Sequence, residues 1–247
     1  MSRTRARAVP LFVVLALGFA AYAASLEHFA VYEVQGVSVG FGVLLRDQLG
    51  PAKQAKVLRL THFANPTRKV HGQVSVGVNQ PNHHLSWYAI RQVQLEPRRT
   101  VRFKNQFGQH SVDIQTPRFL LVPAQKTSHA GSSFPRGLDH YKCYKVIRVN
   151  TAPPLPVIKM GDQFGSQQNV RVGRPVLFCP PVRKARPGAV SQPIFNRVDH
   201  LAVYPVTPQP RSLPIKIRDQ FGQRQLNVVR KVLLAVPTQK QAVVAHP

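Results

Sequence analysis

One four-residue pattern, Asp/Asn-Gln-Phe/Leu-Gly, occurs four times at a nearly constant interval. The copies are Asp47-Gln48-Leu49-Gly50, Asn105-Gln106-Phe107-Gly108, Asp162-Gln163-Phe164-Gly165 and Asp219-Gln220-Phe221-Gly222. Their glycines stand about 57 residues apart, and a fixed period of that size marks a repeat architecture. A second signature, His-x-x-x-Tyr, opens each repeat: His28 to Tyr32, His84 to Tyr88, His140 to Tyr144 and His200 to Tyr204. Each of these segments is aromatic or β-branched and reads as a strand. A short strand then enters the tetrad, another leaves it, and a last apolar strand ends in proline and a basic residue. The closing copies run Pro117 to Lys126, Pro175 to Lys184 and Val232 to Lys240, with Val57 to Lys69 in the first repeat.

Proline is frequent, with 22 in 247 residues. It removes backbone donors from helix interiors and central strands, so short, interrupted elements are expected. With the abundance of valine, this points to an all-β chain. In the tetrad, Asp or Asn at the first place accepts a backbone N–H ahead of it, and glycine at the fourth supplies a left-handed residue after a type I turn. Asp47, Gly50, Asn105, Gly108, Asp162, Gly165, Asp219 and Gly222 are therefore read as hairpin-turn residues. A ligand loop is the rival reading of the same residues.

The spacing after the glycine alternates. Gly108 to Pro123 and Gly222 to Pro237 are 15 apart, whereas Gly50 to Pro66 and Gly165 to Pro181 are 16 apart. This suggests pairing of the repeats. The expected fold is four ~57-residue repeats paired into two similar β-sandwich or barrel-like domains. Residues 25–134 would hold repeats one and two, and residues 135–247 repeats three and four. A four-bladed β-propeller is the alternative.

Residues 1–24 carry Arg3, Arg5 and Arg7, then an apolar run from Val9 to Ala20, then Ala21-Tyr22-Ala23. That order reads as a secretory signal peptide. The run is shorter than the ~20 residues of a spanning helix. The expected destination is the periplasm, the cell surface or the medium.

The net charge is +25, from 34 Lys and Arg against 9 Asp and Glu. Without Arg3, Arg5 and Arg7 it is still about +22. Such an excess attracts anionic polysaccharide, lipopolysaccharide or anionic membrane surfaces. The basic residues are scattered rather than gathered into a stripe with aromatics, and export conflicts with a nucleic-acid partner. Six of the nine acids fall on two repeat positions, the tetrad and the place before the opening histidine (Glu27, Asp139, Asp199). Fixed local partners, a backbone amide or a Lys or Arg, account for that placement.

Cys143 lies in the opening strand of repeat three and Cys179 in its closing strand. The matching places elsewhere are apolar: Val31, Trp87 and Val203 for the first, and about Phe63, Leu121 and Ala235 for the second. Two cysteines present together in one copy and absent together from the others suggest a disulfide between neighbouring strands; a free thiol is the rival. Export permits the bridge. His28, His84, His140 and His200 are the one candidate binding set, should they converge on an axis; otherwise they are strand histidines. No cofactor motif, phosphate loop, Gly-x-Ser-x-Gly element or carboxylate pair for glycoside hydrolysis is present.

Asp139-His140-Tyr141-Lys142-Cys143-Tyr144, Asp162-Gln163-Phe164-Gly165 and Leu177-Phe178-Cys179-Pro180-Pro181 together resemble an exported bacterial tandem-repeat family of unknown function. Its units read His-Tyr-x-Cys-Tyr, Asp-Gln-Phe-Gly and Leu-Cys-x-Pro. The resemblance spans residues 26–240, and repeats one, two and four depart from it in lacking cysteines. It implies export, β structure and a cysteine pair, and no activity. The expected function is a non-enzymatic envelope or extracellular module, binding or structural, with affinity for anionic surfaces. A small envelope hydrolase with a site assembled between repeats is the alternative.

Overall fold

The computed structural model describes residues 26–128, 131–185 and 191–246. The expected leader, 1–24, lies outside them. Repeat one forms β1 (Phe29–Val34), β2 (Ser38–Arg46) and β3 (Lys53–Pro66), trailed by β4 (Arg68–His71) and β5 (Val74–Val76). Repeat two forms β6 (His84–Gln92), β7 (Arg99–Asn105) and β8 (Gly108–Lys126). Repeat three forms β9 (Tyr141–Thr151), β10 (Val157–Asp162), β11 (Gly165–Arg171), β12 (Leu177–Cys179) and β13 (Arg183–Ala185). In repeat four the opening and entering strands fuse into β14 (His200–Asp219), and β15 (Gly222–Ala245) completes it. The described chain is all-β.

Opening and closing strands alternate around one closed ring. The order is β1-β3-β6-β8-β9-β12-β14-β15 and back to β1, every ladder antiparallel. Eight strands is the number at which a barrel's interior is just filled by side chains. One face of these strands carries Phe29, Val31, Leu85, Trp87, Leu121, Tyr141, Cys143, Cys179, Leu201 and Val203, all essentially inaccessible. This cluster draws almost wholly on the ring strands, so the ring itself must enclose it. Because side chains alternate along a strand, Tyr32, Tyr88, Tyr144 and Tyr204 point the other way. They join a second core with hairpin residues such as Leu45, Phe103, Met160 and Ile217. The four tetrad hairpins thus form an outer layer over an inner barrel.

Each hairpin is held by a distant repeat. The entering strand of one repeat pairs with the end of the closing strand two repeats away. The pairs are β2 with β13, β7 with β15, β10 with β4, and the second half of β14 with β8. Each entering strand is thereby paired on both of its edges, by its own hairpin partner and by the distant repeat, which gives its backbone amides partners on both sides.

The all-β class and the four-repeat layout hold. The expected division at residue 134 has no counterpart in the hydrogen bonds. The β8–β9 ladder crosses it, and the β15–β1 ladder joins the last repeat to the first. The strands lie side by side around a barrel rather than in radial blades. The alternating 15- and 16-residue spacing has two separate causes. In repeat three the extra residue is a bulge opposite Lys159, where Asn169 adopts φ 52°. In repeat one it widens the turn, for Leu45 pairs with Lys53 while in repeats two and four the tetrad's first and fourth residues pair directly. Pro51, which follows Gly50, has no N–H to give to a tight ladder.

Cys143 and Cys179 form a disulfide between β9 and β12. Inside the barrel it takes the place of the facing apolar pairs Val31–Ala64, Trp87–Leu121 and Val203–Ala235. The counterpart in repeat one is Ala64 rather than Phe63, which faces the outer core. Closing a 36-residue loop is worth about 4 kcal/mol on the chain-entropy view.

Candidate functional site

The two sequence signatures meet, across the barrel. Tyr32 donates its hydroxyl hydrogen to Asp162 at 2.7 Å, Tyr88 to Asp219 at 2.6 Å and Tyr144 to Asp47 at 2.6 Å. The fourth contact is reversed in polarity: Asn105 donates from Nδ2 to the Tyr204 hydroxyl at 2.7 Å. In every case the tyrosine belongs to the repeat two places from the tetrad. The other tetrad oxygen accepts the backbone N–H two residues on, from Leu49, Phe107, Phe164 and Phe221. Burial, reinforced by the neighbouring carboxylate, pushes the Tyr32, Tyr88 and Tyr144 hydroxyls up from their ordinary range.

Each charged contact carries a cation and the neutral one does not need it. Lys142 lies 3.6 Å from Asp47 and 3.0 Å from Glu96. Arg224 lies 3.5 Å from Asp219 and donates to Tyr88 at 3.2 Å. Lys231 and Arg211 face Tyr32 and Asp162. Around Asn105 the neighbours are Thr238, which accepts from Nδ2 at 3.2 Å, and His110, whose Nε2 lies 3.2 Å from the Tyr204 hydroxyl. Burial holds His110 down at about 4, so it is neutral. A buried charge is tolerated when paired, and the side chains follow that rule copy by copy.

The other two tetrad positions are clasped by the closing lysine of the preceding repeat. Lys69 lies over the Phe107 ring at 4.4 Å, Lys126 over Phe164 at 4.9 Å and Lys184 over Phe221 at 5.7 Å. Lys126 and Lys184 also donate to Gln163 and Gln220, and Lys240 to Gln48. Burial lowers Lys69 and Lys126 to about 8. Their contacts are not evident in the sequence, where the signal is the fixed place of Lys69, Lys126, Lys184 and Lys240 at the end of each closing strand.

The four signature histidines do not converge. Among the described residues no group of three or more His, Cys, Asp or Glu is placed to hold a metal. His84 stacks on Phe63 at 5.4 Å and His200 on Phe178 at 5.5 Å, each against the closing strand of the previous repeat. Burial, followed by the nearby closing lysine, lowers His28 and His140 to about 3. Burial also lowers His200 to about 4. The acids before them act locally. Glu27 accepts the Asn79 and Gln80 amides, and Asp139 those of Phe195 and Asn196, which pins the connection to the next repeat.

With the internal contacts assigned, the surface is what remains. All nine carboxylates are buried or half-buried, whereas Arg46, Lys56, Arg91, Arg102, Lys104, Lys145, Arg148, Lys159, Arg171, Lys216 and Arg218 are exposed. Several concavities open onto the described surface. One of 380 Å³ lies between Phe134, His140, Pro193 and Phe195, and another of 310 Å³ between Gly40, Lys56, Arg91 and Val93. One of 330 Å³ runs along Arg68, Lys159 and Gln168, and one of 230 Å³ is lined by Arg46, Arg183 and Arg197.

The family model described as a repeat of unknown function, DUF7450, matches residues 84–237. No curated protein and no solved structure matches the chain.

Proposed function

We propose, for a chain that belongs to the DUF7450 repeat family, the role of a non-enzymatic binding or structural module that is exported and meets an anionic surface of a bacterial envelope. The observation that carries this reading is the segregation of charge. The acids are spent inward on tyrosines, lysines and backbone amides, and the cations of the outer hairpins face solvent. A rigid shell of unneutralised Lys and Arg attracts polyanions over a Debye length. Lipopolysaccharide, acidic polysaccharide and anionic lipid all offer such a surface. The bridge between Cys143 and Cys179 agrees with an oxidising compartment.

The test is retention of the mature protein on immobilised heparin and on lipopolysaccharide as salt is raised. Strong binding at low ionic strength with a steep loss toward high salt is expected. Elution beside a neutral protein of equal size would overturn the reading. Turnover above blank in a broad hydrolase screen would replace it with an enzymatic one.

A further inference from the structure

We infer that the cleft between Arg46, Arg183 and Arg197 is an oxyanion site, built to hold a phosphate group. The inference rests on the proposed affinity for anions and gives it one place on the molecule. Arg46 in β2 and Arg183 in β13 are direct register partners in an antiparallel ladder. Directly opposed like charges destabilise a sheet. The three equivalent ladders avoid that arrangement: Gln125 faces Arg218, Gln239 faces Lys104, and Arg68 faces Gly161. Among these four equivalent ladders two cations meet only at the first hairpin; elsewhere Lys56 faces Arg91 between β3 and β6, with no third cation brought to them in the cleft they line.

A third cation is brought to the same cleft. Gln48, of the tetrad itself, donates from Nε2 to the Arg197 carbonyl and accepts from Lys240. The turn therefore holds the loop that carries Arg197 against the cleft, which is completed by Ile194 and has a volume of 230 Å³. That is room for one tetrahedral oxyanion with water. One carboxylate, Asp47, also lines the cleft, and it is already committed. Asp47 accepts from Leu49 and Tyr144 and lies 3.6 Å from Lys142. Among the described residues no ion pair includes Arg46, Arg183 or Arg197. A bound phosphate turns the opposed guanidiniums from a repulsive pair into donors converging on one anion, the arrangement for which Arg is best suited. The wider turn of repeat one fits this role, since it displaces Gly50 from the tight hairpin geometry of the other copies. The phosphate is either free or the headgroup of a lipid.

The experiment is thermal unfolding of the mature protein against inorganic phosphate, with sodium chloride substituted to keep ionic strength constant. Wild type should gain melting temperature saturably. Arg46→Gln and Arg183→Gln should bind phosphate on the order of tenfold more weakly, the loss of one charged hydrogen bond. Arg183→Gln recreates the Gln–Arg facing seen in the β8–β14 ladder, so it should fold and melt no lower than wild type without phosphate. Arg118→Gln, an exposed cation removed elsewhere, should keep the wild-type shift. Equal shifts in all four proteins, or none in wild type, would overturn the site while leaving heparin retention untouched. Loss of heparin retention with the phosphate shift intact would remove the broader reading instead. Vesicles of phosphatidic acid in phosphatidylcholine distinguish the source. Weaker sedimentation of Arg183→Gln than of Arg118→Gln assigns the site to a lipid phosphate. Equal sedimentation, with the phosphate shift weakened in Arg183→Gln and kept in Arg118→Gln, assigns it to free phosphate.

Discussion

Tyr88 and Tyr204 occupy the same place in two repeats and make the same contact with different electrostatics. Tyr88 donates to a buried carboxylate that Arg224 also faces, while Tyr204 accepts from the neutral Asn105. Removing the hydroxyl therefore has unequal consequences. Tyr88→Phe leaves Asp219 short of a donor in a site it cannot leave, at a cost of about 1.5–3 kcal/mol, as for hydrogen bonds to charged groups. Tyr204→Phe removes a neutral bond and leaves Asn105 its contact with Thr238, so about 0.5–1.5 kcal/mol is expected. Urea denaturation of both variants checks the order. Equal losses would mean that the matched cations contribute nothing. The choice of Asn over Asp at residue 105 could be read from the sequence, but its reason could not. That reason is a tyrosine 99 residues away whose hydroxyl, among the described residues, meets Asn105 and the His110 ring rather than a carboxylate with its cation, and this is not a property of the local sequence.

The tetrad hairpin was legible at the level of the element because its chemistry is local. The first residue caps the backbone two places on, and Gly108, Gly165 and Gly222 take φ of 106°, 120° and 121°. The same sequence in repeat one was not equally legible. Gly50 is absent from the positive-φ residues, since a wider loop places it before Pro51. Alanine separates the two situations. At Gly222 the nearest neighbour of an added Cβ is 3.9 Å away, so space is not limiting and the cost is conformational. About 1–2 kcal/mol is expected for Gly222→Ala, the penalty of a left-handed backbone on a residue with a Cβ. Gly50→Ala should stay within about 0.5 kcal/mol, with the Arg99 side chain at 3.3 Å giving way slightly. Denaturation midpoints of the two variants test this. A large loss at Gly50 would show that its turn is as constrained as the others.

For the whole molecule, period and composition indicated strands and their number but not which repeat touches which. The contacts that close the outer layer join residues 97 to 131 positions apart, and no local pattern encodes them. The alternating spacing pointed to adjacent pairs, yet its two long members arise from a bulge and a turn. What the ladders require is that every hairpin lie on the closing strand of the repeat opposite. A chain cut near residue 134 therefore loses more than one ladder. Residues 25–134 alone would leave the first hairpin without β13 and the second without β15. The edges of β1 and β8 would also be open, and outer-core residues such as Tyr32 and Tyr88 would lose their covering carboxylates. Opened ladders and uncovered apolar surface at that scale exceed the 5–15 kcal/mol by which a domain of this kind is stable. Each half, expressed alone, should lack a cooperative thermal transition. The two co-expressed halves should copurify and melt together, because opposite repeats complete each other. Two independent transitions from the separate halves would instead restore a division into paired domains.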